Sequence, residues 1–196
     1  LQCGTSMPRE QGESISFVMV FDMNERLNFL KWALCDLIVD LTINTEVFRD
    51  AVQRTGFDPN LPKDQALMRM VCSALVVNLS KLSEALGYLG KDINFLEEPL
   101  RSQCISVKQE IESRKIYQFR NKYAAHLLDN KTKLPLSLME GERRLTAIFG
   151  STIGELNDFC DWVCPPAGEA NKNSVTSVLC DLRDYCRQKG GNGPRP

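Results

Sequence analysis

Arg120, Asn121 and His126 lie within seven consecutive residues and carry side chains suited to phosphodiester chemistry. His126 is the only histidine in the 196 residues. An imidazole can take up and return a proton near neutral pH. A guanidinium can stabilise the charge that develops on a phosphate, and the amide can orient the histidine or a phosphate oxygen. These residue types suit metal-independent cleavage of RNA by attack of its own 2′-hydroxyl.

The segment around these residues is more basic than the rest of the chain. Lys108 to Arg144 contains nine Lys or Arg residues and five acids, a local charge of +4, whereas the whole chain has a net charge of −1. Side chains in this segment are candidate contacts to RNA, namely Arg114, Lys115, Lys122, Lys131 and Lys133 for the backbone and Tyr123 for base stacking. Each of them alone fits a solvated helix face or loop as well.

Other catalytic and metal-binding motifs are absent from the sequence. A single histidine excludes a two-histidine metal site within one protomer, and there is no glycine-rich phosphate loop and no Gly-x-Ser-x-Gly turn. Cys160, Cys164, Cys180 and Cys186 are four imaginable zinc ligands, but they lack Cys-x-x-Cys spacing and their neighbours are apolar. We therefore expect buried free thiols, with no metal and no cofactor.

The Arg-Asn-x4-His pattern of Arg120, Asn121 and His126, at the end of a predicted helix, resembles the Arg-Asn/Asp-x4–6-His signature of the HEPN superfamily. The resemblance covers residues 97–145, and the rest of the chain in outline. It implies an endoribonuclease of the toxin or abortive-infection type that leaves a 2′,3′-cyclic phosphate, and it leaves room for a cognate antitoxin. A family variant with Tyr two residues after the His is modified by a partner enzyme; here that position is Leu128, so this modification is not expected.

Helix geometry constrains how Arg120 and His126 can act together. Six residues on a continuous helix separate them by about 120° around the axis. Either the last turn unwinds near Ala124 and Ala125, or the long arginine reaches around, or a second protomer supplies another copy of the motif. Members of the resembled family form dimers in which two motifs share one cleft, which would also supply a second histidine. We expect a homodimer of this kind, with His126 favoured in its protonated form by the helix C-terminus.

Two alternatives remain open at this point. The chain could be a non-catalytic member of the same fold, a dimeric module that binds RNA, a nucleotide or a partner protein. It could also be an unrelated helical interaction domain in which the spacing is accidental. In that case His126 continues an apolar stripe after Phe119 and Tyr123, and Arg120 pairs with an acid such as Glu112 or Glu142.

The apolar periodicity predicts an all-α bundle of about five helices, up-down in order, with a long loop after the helix that carries the motif. Leu27, Leu30, Leu34, Leu37 and Leu41 mark the first helix. The expected helices span 24–54, 62–90, 97–126, 137–163 and 174–187. Gly56 is the expected stop of the first, Ser137 and Glu140 form an expected capping box, and a bend is expected near Gly150 or Gly154.

The domain organisation is predicted to be simple. Residues 14–188 form one helical domain, 1–13 a flexible segment whose first six residues resemble an expression remnant, and 189–196 a disordered tail. The apolar stretch from Ile15 to Met23 is too short to span a membrane, and no secretion signal is recognisable. These features indicate a cytoplasmic protein without membrane insertion.

Overall fold

The computed structural model describes residues 23–121, 138–169, 171–190 and 192–196. Within these residues the regular elements are all helical, which confirms the all-α helical bundle. They are α1 (Met23–Gln53), α2 (Pro62–Leu89), a 3-10 helix (Gly90–Phe95), α3 (Leu100–Ser113), α4 (Ile116–Phe119), α5 (Leu138–Phe149), α6 (Ile153–Val163) and α7 (Val175–Gln188). The expectations for residues 1–13, and for the apolar stretch before Met23, lie outside the described residues.

The core forms where the leucine stripes of α1 and α2 meet, with α7 packed along another side of α1. Leu34 and Leu41 of α1 and Leu75, Leu79 and Leu82 of α2 are fully buried. Each such side chain contributes about 1.5–3 kcal/mol when it leaves water. The first two helices and the stop at Gly56, whose φ is +81°, are confirmed.

One described helix, α2, has the length and hydropathy of a membrane span. Its apolar residues pack against α1, α3 and α4 in the core of the bundle. Core packing therefore accounts for its composition, and no clear sign of a membrane protein follows from it.

The predicted continuous helix over 97–126 is wrong, because the chain turns between α3 and α4 at Lys115. This residue has a left-handed φ of +58°, and its N–H donates to the carbonyl of Glu112 at 3.0 Å. On a continuous helix Ile116 would point about 140° away from Ile111. The turn returns the chain to the core, so that Ile111, Ile116 and Phe119 are all buried.

The helix expected over 137–163 is also divided, into α5 and α6. Gly150 lies between them with φ of +94°, a conformation that side-chain-bearing residues rarely adopt. Thr152 begins α6 with a capping box, since its Oγ1 accepts from the Glu155 N–H at 3.1 Å and the Glu155 carboxylate accepts from the Thr152 N–H at 3.0 Å. Of the predicted box, Ser137 lies outside the described residues.

The C-terminal tail, for which the sequence predicts disorder, lies along α1 over residues 192–196. The carbonyls of Gly193 and Pro194 accept hydrogen bonds from Lys31 at 3.0 Å and Asn28 at 2.9 Å. Arg195 pairs with both carboxylate oxygens of Asp36, at 2.7 and 2.8 Å. The tail is held because α1 carries a polar hydrogen-bond partner for each of these tail residues. The composition of the tail, rich in glycine and proline, does not indicate these partners.

Candidate functional site

Arg120 and Asn121 follow α4 directly, where the helical turn widens to the π type. The preceding Phe119 is 6% exposed and anchors this turn in the core, while Arg120 is displaced toward solvent with its side chain 37% exposed. The N–H of Arg120 donates to the carbonyls of Ile116 and Tyr117. Single π turns occur often at functional sites. Because Phe119 is anchored in the core, this turn presents the neighbouring Arg120 at the surface.

The guanidinium of Arg120 has two partners among the described residues. Its Nη1 donates to Oδ1 of Asn121 at 3.0 Å and lies 3.7 Å from Oε1 of Glu84 on α2. The sequence suggested Glu112 or Glu142 as the ion-pair partner, and the observed partner is neither. Because Glu84 is 50% exposed and the separation is long, this pair contributes roughly 0–1 kcal/mol. An anion can therefore replace Glu84 at small cost.

Several predicted site residues lie outside the described part of the chain. They are Lys122, Tyr123, His126, Lys131 and Lys133. The relation between Arg120 and His126, and the shared cleft of a dimer, therefore stay predictions.

Arg114 is committed to packing, a role that the sequence did not suggest for this candidate RNA contact. Its Nη1 donates to the carbonyl of Ile148 at 2.5 Å, and its Nε pairs with Glu110 at 2.6 Å. The guanidinium carbon lies 5.0 Å from the ring centroid of Phe159 and 5.8 Å from that of Trp162. Arg114 thus ties the end of α3 to α5 and α6, and it shares none of these partners with Arg120.

Lys115 is exposed at the turn between α3 and α4. Its carbonyl accepts from the N–H of Phe119 at 3.0 Å, so its backbone begins the turn that positions Arg120. The side chain remains available to solvent, as a contact to an RNA backbone requires.

A cleft of about 710 Å³, which Glu84 helps to line, lies between α1, α2 and the C-terminal tail. Its walls include Phe29, Ala33, Glu84, Ala85 and Tyr88. Phe29 is 60% exposed and Tyr88 is 50% exposed. Sequence reasoning missed this cleft. The sequence feature that could have indicated it is that Phe29 and Tyr88 lie outside the leucine stripes of their helices.

The buried cysteines are poorly suited to act as nucleophiles. Burial raises the pKa of the Cys104 and Cys160 thiols to about 12 and that of Cys186 to about 11, so they are protonated at neutral pH. All seven cysteines in the described part of the chain are free. No group of three or more potential metal ligands occurs among the described residues.

Comparison with known proteins extends the description of the fold. No protein-family model matches the chain, and no curated protein matches it. The solved structure of an integron cassette protein, Vpc_cass2, from the mobile metagenome of V. paracholerae is similar, with a TM-score of 0.68 and 23% identity. The match covers 85% of this chain and 98% of that one. At this identity the likeness shows a shared fold alone.

Proposed function

We propose that the chain is a metal-independent endoribonuclease of the HEPN type, acting on single-stranded RNA in the cytoplasm. The observation that carries the proposal is the exposed and weakly paired guanidinium of Arg120. Its guanidinium is held at the surface by Asn121, beside a carboxylate to which it is only weakly bound. A planar, permanently charged group in this setting suits the equatorial oxygens of a phosphate under attack.

The proposed reaction needs no water and no external cofactor. The RNA 2′-oxygen forms a bond to phosphorus, and the bond from phosphorus to the 5′-oxygen breaks, leaving a 2′,3′-cyclic phosphate and a 5′-hydroxyl. One group removes the proton from the 2′-hydroxyl, and another donates a proton to the 5′-oxygen. We assign one of these roles to His126 and, in a homodimer with a shared cleft, the other to the partner's copy of the same residue.

The first experiment measures cleavage in the presence of EDTA. Wild-type protein should convert single-stranded RNA to products ending in a 2′,3′-cyclic phosphate, detected by mass spectrometry. His126→Ala and Arg120→Ala should each abolish most of this activity. Arg101→Ala serves as the matched control, because Arg101 is an exposed arginine of α3 that pairs with Glu98 at 2.7 Å. Equal cleavage by wild type and His126→Ala, or cleavage that requires a metal, overturns the proposal.

A second experiment tests the phosphate-binding role of Arg120 separately from the chemistry. Glu84→Gln removes the carboxylate that competes with phosphate for the guanidinium. Since the exposed pair contributes at most about 1 kcal/mol, affinity for an uncleavable 2′-O-methyl RNA should rise by up to about fivefold. A fall in affinity would contradict competition at Arg120. Binding that depends on Arg120 without any cleavage product would instead indicate the non-catalytic RNA-binding module.

The oligomeric state tests the shared cleft. Light scattering during size-exclusion chromatography should give twice the monomer mass at concentrations at which cleavage is measured. Cleavage whose rate per chain stays constant on dilution to a monomer would remove the requirement for a second protomer while leaving the role of Arg120 intact.

A further inference from the structure

We infer that the cleft between α1 and α2 is the site that holds a base of the RNA whose phosphate binds Arg120. This inference rests on the proposed function and assigns the base-binding part of the same site. Glu84 connects the two parts. Its carboxylate lies 3.7 Å from the Arg120 guanidinium, and Glu84 is also one of the residues that line the cleft. A phosphate at Arg120 therefore lies next to a residue of the cleft wall.

The surface of the cleft is mainly apolar, as an unstacked base requires, although five charged or polar residues also line it: Glu25, Arg26, Asn28, Lys81 and Glu84. The inner surface includes Leu30, which is almost fully buried, with Ala33 and Ala85 beside it. Two aromatic side chains, Phe29 of α1 and Tyr88 of α2, also line the cleft and remain at least half exposed. Bases splayed out of single-stranded RNA stack on such rings with little dependence on sequence.

Tyr88 also carries a cation on its ring. The guanidinium carbon of Arg26 lies 5.0 Å from the Tyr88 ring centroid, and its Nη2 pairs with Asp92 at 3.2 Å. The arginine is thereby held close to the ring, where its planar group extends the stacking surface. A ring and a guanidinium in contact at the edge of an apolar cleft are features common to single-stranded nucleic acid sites.

The C-terminal tail forms another part of the cleft wall. Pro194 and Pro196 line the cleft, and the hydrogen bonds from Asn28 and Lys31 to the tail hold them there. Asn28 and Lys31 thus donate to the tail, and the tail contributes two proline rings to the cleft wall. A base enters such a space by stacking, with its phosphate directed toward Arg120.

The test compares two uncleavable RNAs that differ only in their bases. One is a short single-stranded 2′-O-methyl RNA, and the other is its abasic analogue with the same number of phosphates. Phe29→Ala and Tyr88→Ala should each weaken binding of the intact RNA by about tenfold, the loss of one stacked base, and leave the abasic RNA unaffected. Arg120→Ala should weaken both. Met70→Ala is the control, because Met70 lies on α2 like Tyr88, is 66% exposed and does not line the cleft.

The outcomes separate the two proposals. If both aromatic variants bind intact RNA like wild type, or if wild type binds the two RNAs equally, the base site is overturned while Arg120 can still bind phosphate. If Arg120→Ala binds both RNAs like wild type, the proposed function fails. If the aromatic variants change the oligomeric state and not RNA binding, the cleft is an interface between protein chains and the base site is likewise overturned.

Discussion

Arg114→Ala is expected to destabilise the fold without weakening RNA binding. The guanidinium donates to the carbonyl of Ile148 at 2.5 Å, in the last turn of α5, where carbonyls have no partner within the helix. A hydrogen bond from a charged donor contributes about 1.5–3 kcal/mol. Its contacts with Phe159 and Trp162 add roughly 0.5–1 kcal/mol at a side chain that is one-third exposed.

The remaining contact of Arg114 is small by comparison. The ion pair with Glu110, one helical turn away, adds about 0.3–0.5 kcal/mol. The substitution should therefore lower the free energy of unfolding by about 3 kcal/mol. For a chain of this size that corresponds to a fall in Tm of roughly 6–12 °C.

Thermal and urea denaturation followed by circular dichroism measure this change. Arg114→Lys keeps the charge but loses the planar fork that reaches the carbonyl and the rings together, so it should show most of the loss. Arg101→Ala, on the same helix with only an exposed ion pair, should change the free energy of unfolding by less than about 1 kcal/mol. Unchanged stability of Arg114→Ala, together with weakened RNA binding, would refute the packing role and support the predicted RNA contact.

Three further predictions concern the backbone, the pH dependence of stability and the thiols. Gly150→Ala should lower the free energy of unfolding by about 1–3 kcal/mol, because φ is +94° and an added Cβ would lie 2.2 Å from a side chain of α6. At Gly154 the nearest atom to an added Cβ is 3.8 Å away, so Gly154→Ala should be neutral or stabilising. Urea denaturation measures both changes. Hydrogen bonds from Arg143 and Arg144 lower the pKa of Glu140 to about 2. The contribution of the ionised Glu140 to stability is therefore present above the usual pKa of 4.5 and is lost as the pH falls through about 2. An NMR titration that gives Glu140 an ordinary pKa would contradict this. Cys104 and Cys160, whose pKa is about 12, should resist Ellman's reagent in the folded protein and react once it is unfolded, and rapid reaction in the folded state would be inconsistent with their burial.

The elements that the sequence predicts correctly depend on residues close together in the chain. The leucine spacing of α1 and the proline at the start of α2 act over one or two turns, and both helices lie where the pattern places them. Ser174 caps α7 as predicted, accepting from the N–H of Ser177 at 3.3 Å. Capping and periodicity are local interactions, so a sequence shows them directly.

The two helix breaks show where local patterns become insufficient. Ile116 and Phe119 form a second apolar stripe that a continuous helix would turn away from Ile111. The left-handed Lys115 resolves this conflict by turning the chain. The sequence contains both stripes, but whether they are buried on two sides or joined by a turn depends on the position of α2, which α4 contacts.

By itself, the sequence determined the helical class, the extents of α1, α2 and α7 and the choice of Arg120 and Asn121 as candidate residues, because residue types and helical spacing are properties of the chain alone. Only the tertiary structure decided that Arg114 is committed to packing, that Glu84 is the partner of Arg120, and that an aromatic cleft opens beside it. Glu84 and Arg120 are 36 positions apart, and Phe29 and Tyr88 are 59 apart. Contacts over such separations follow from how the helices pack, and no local pattern in the sequence specifies them.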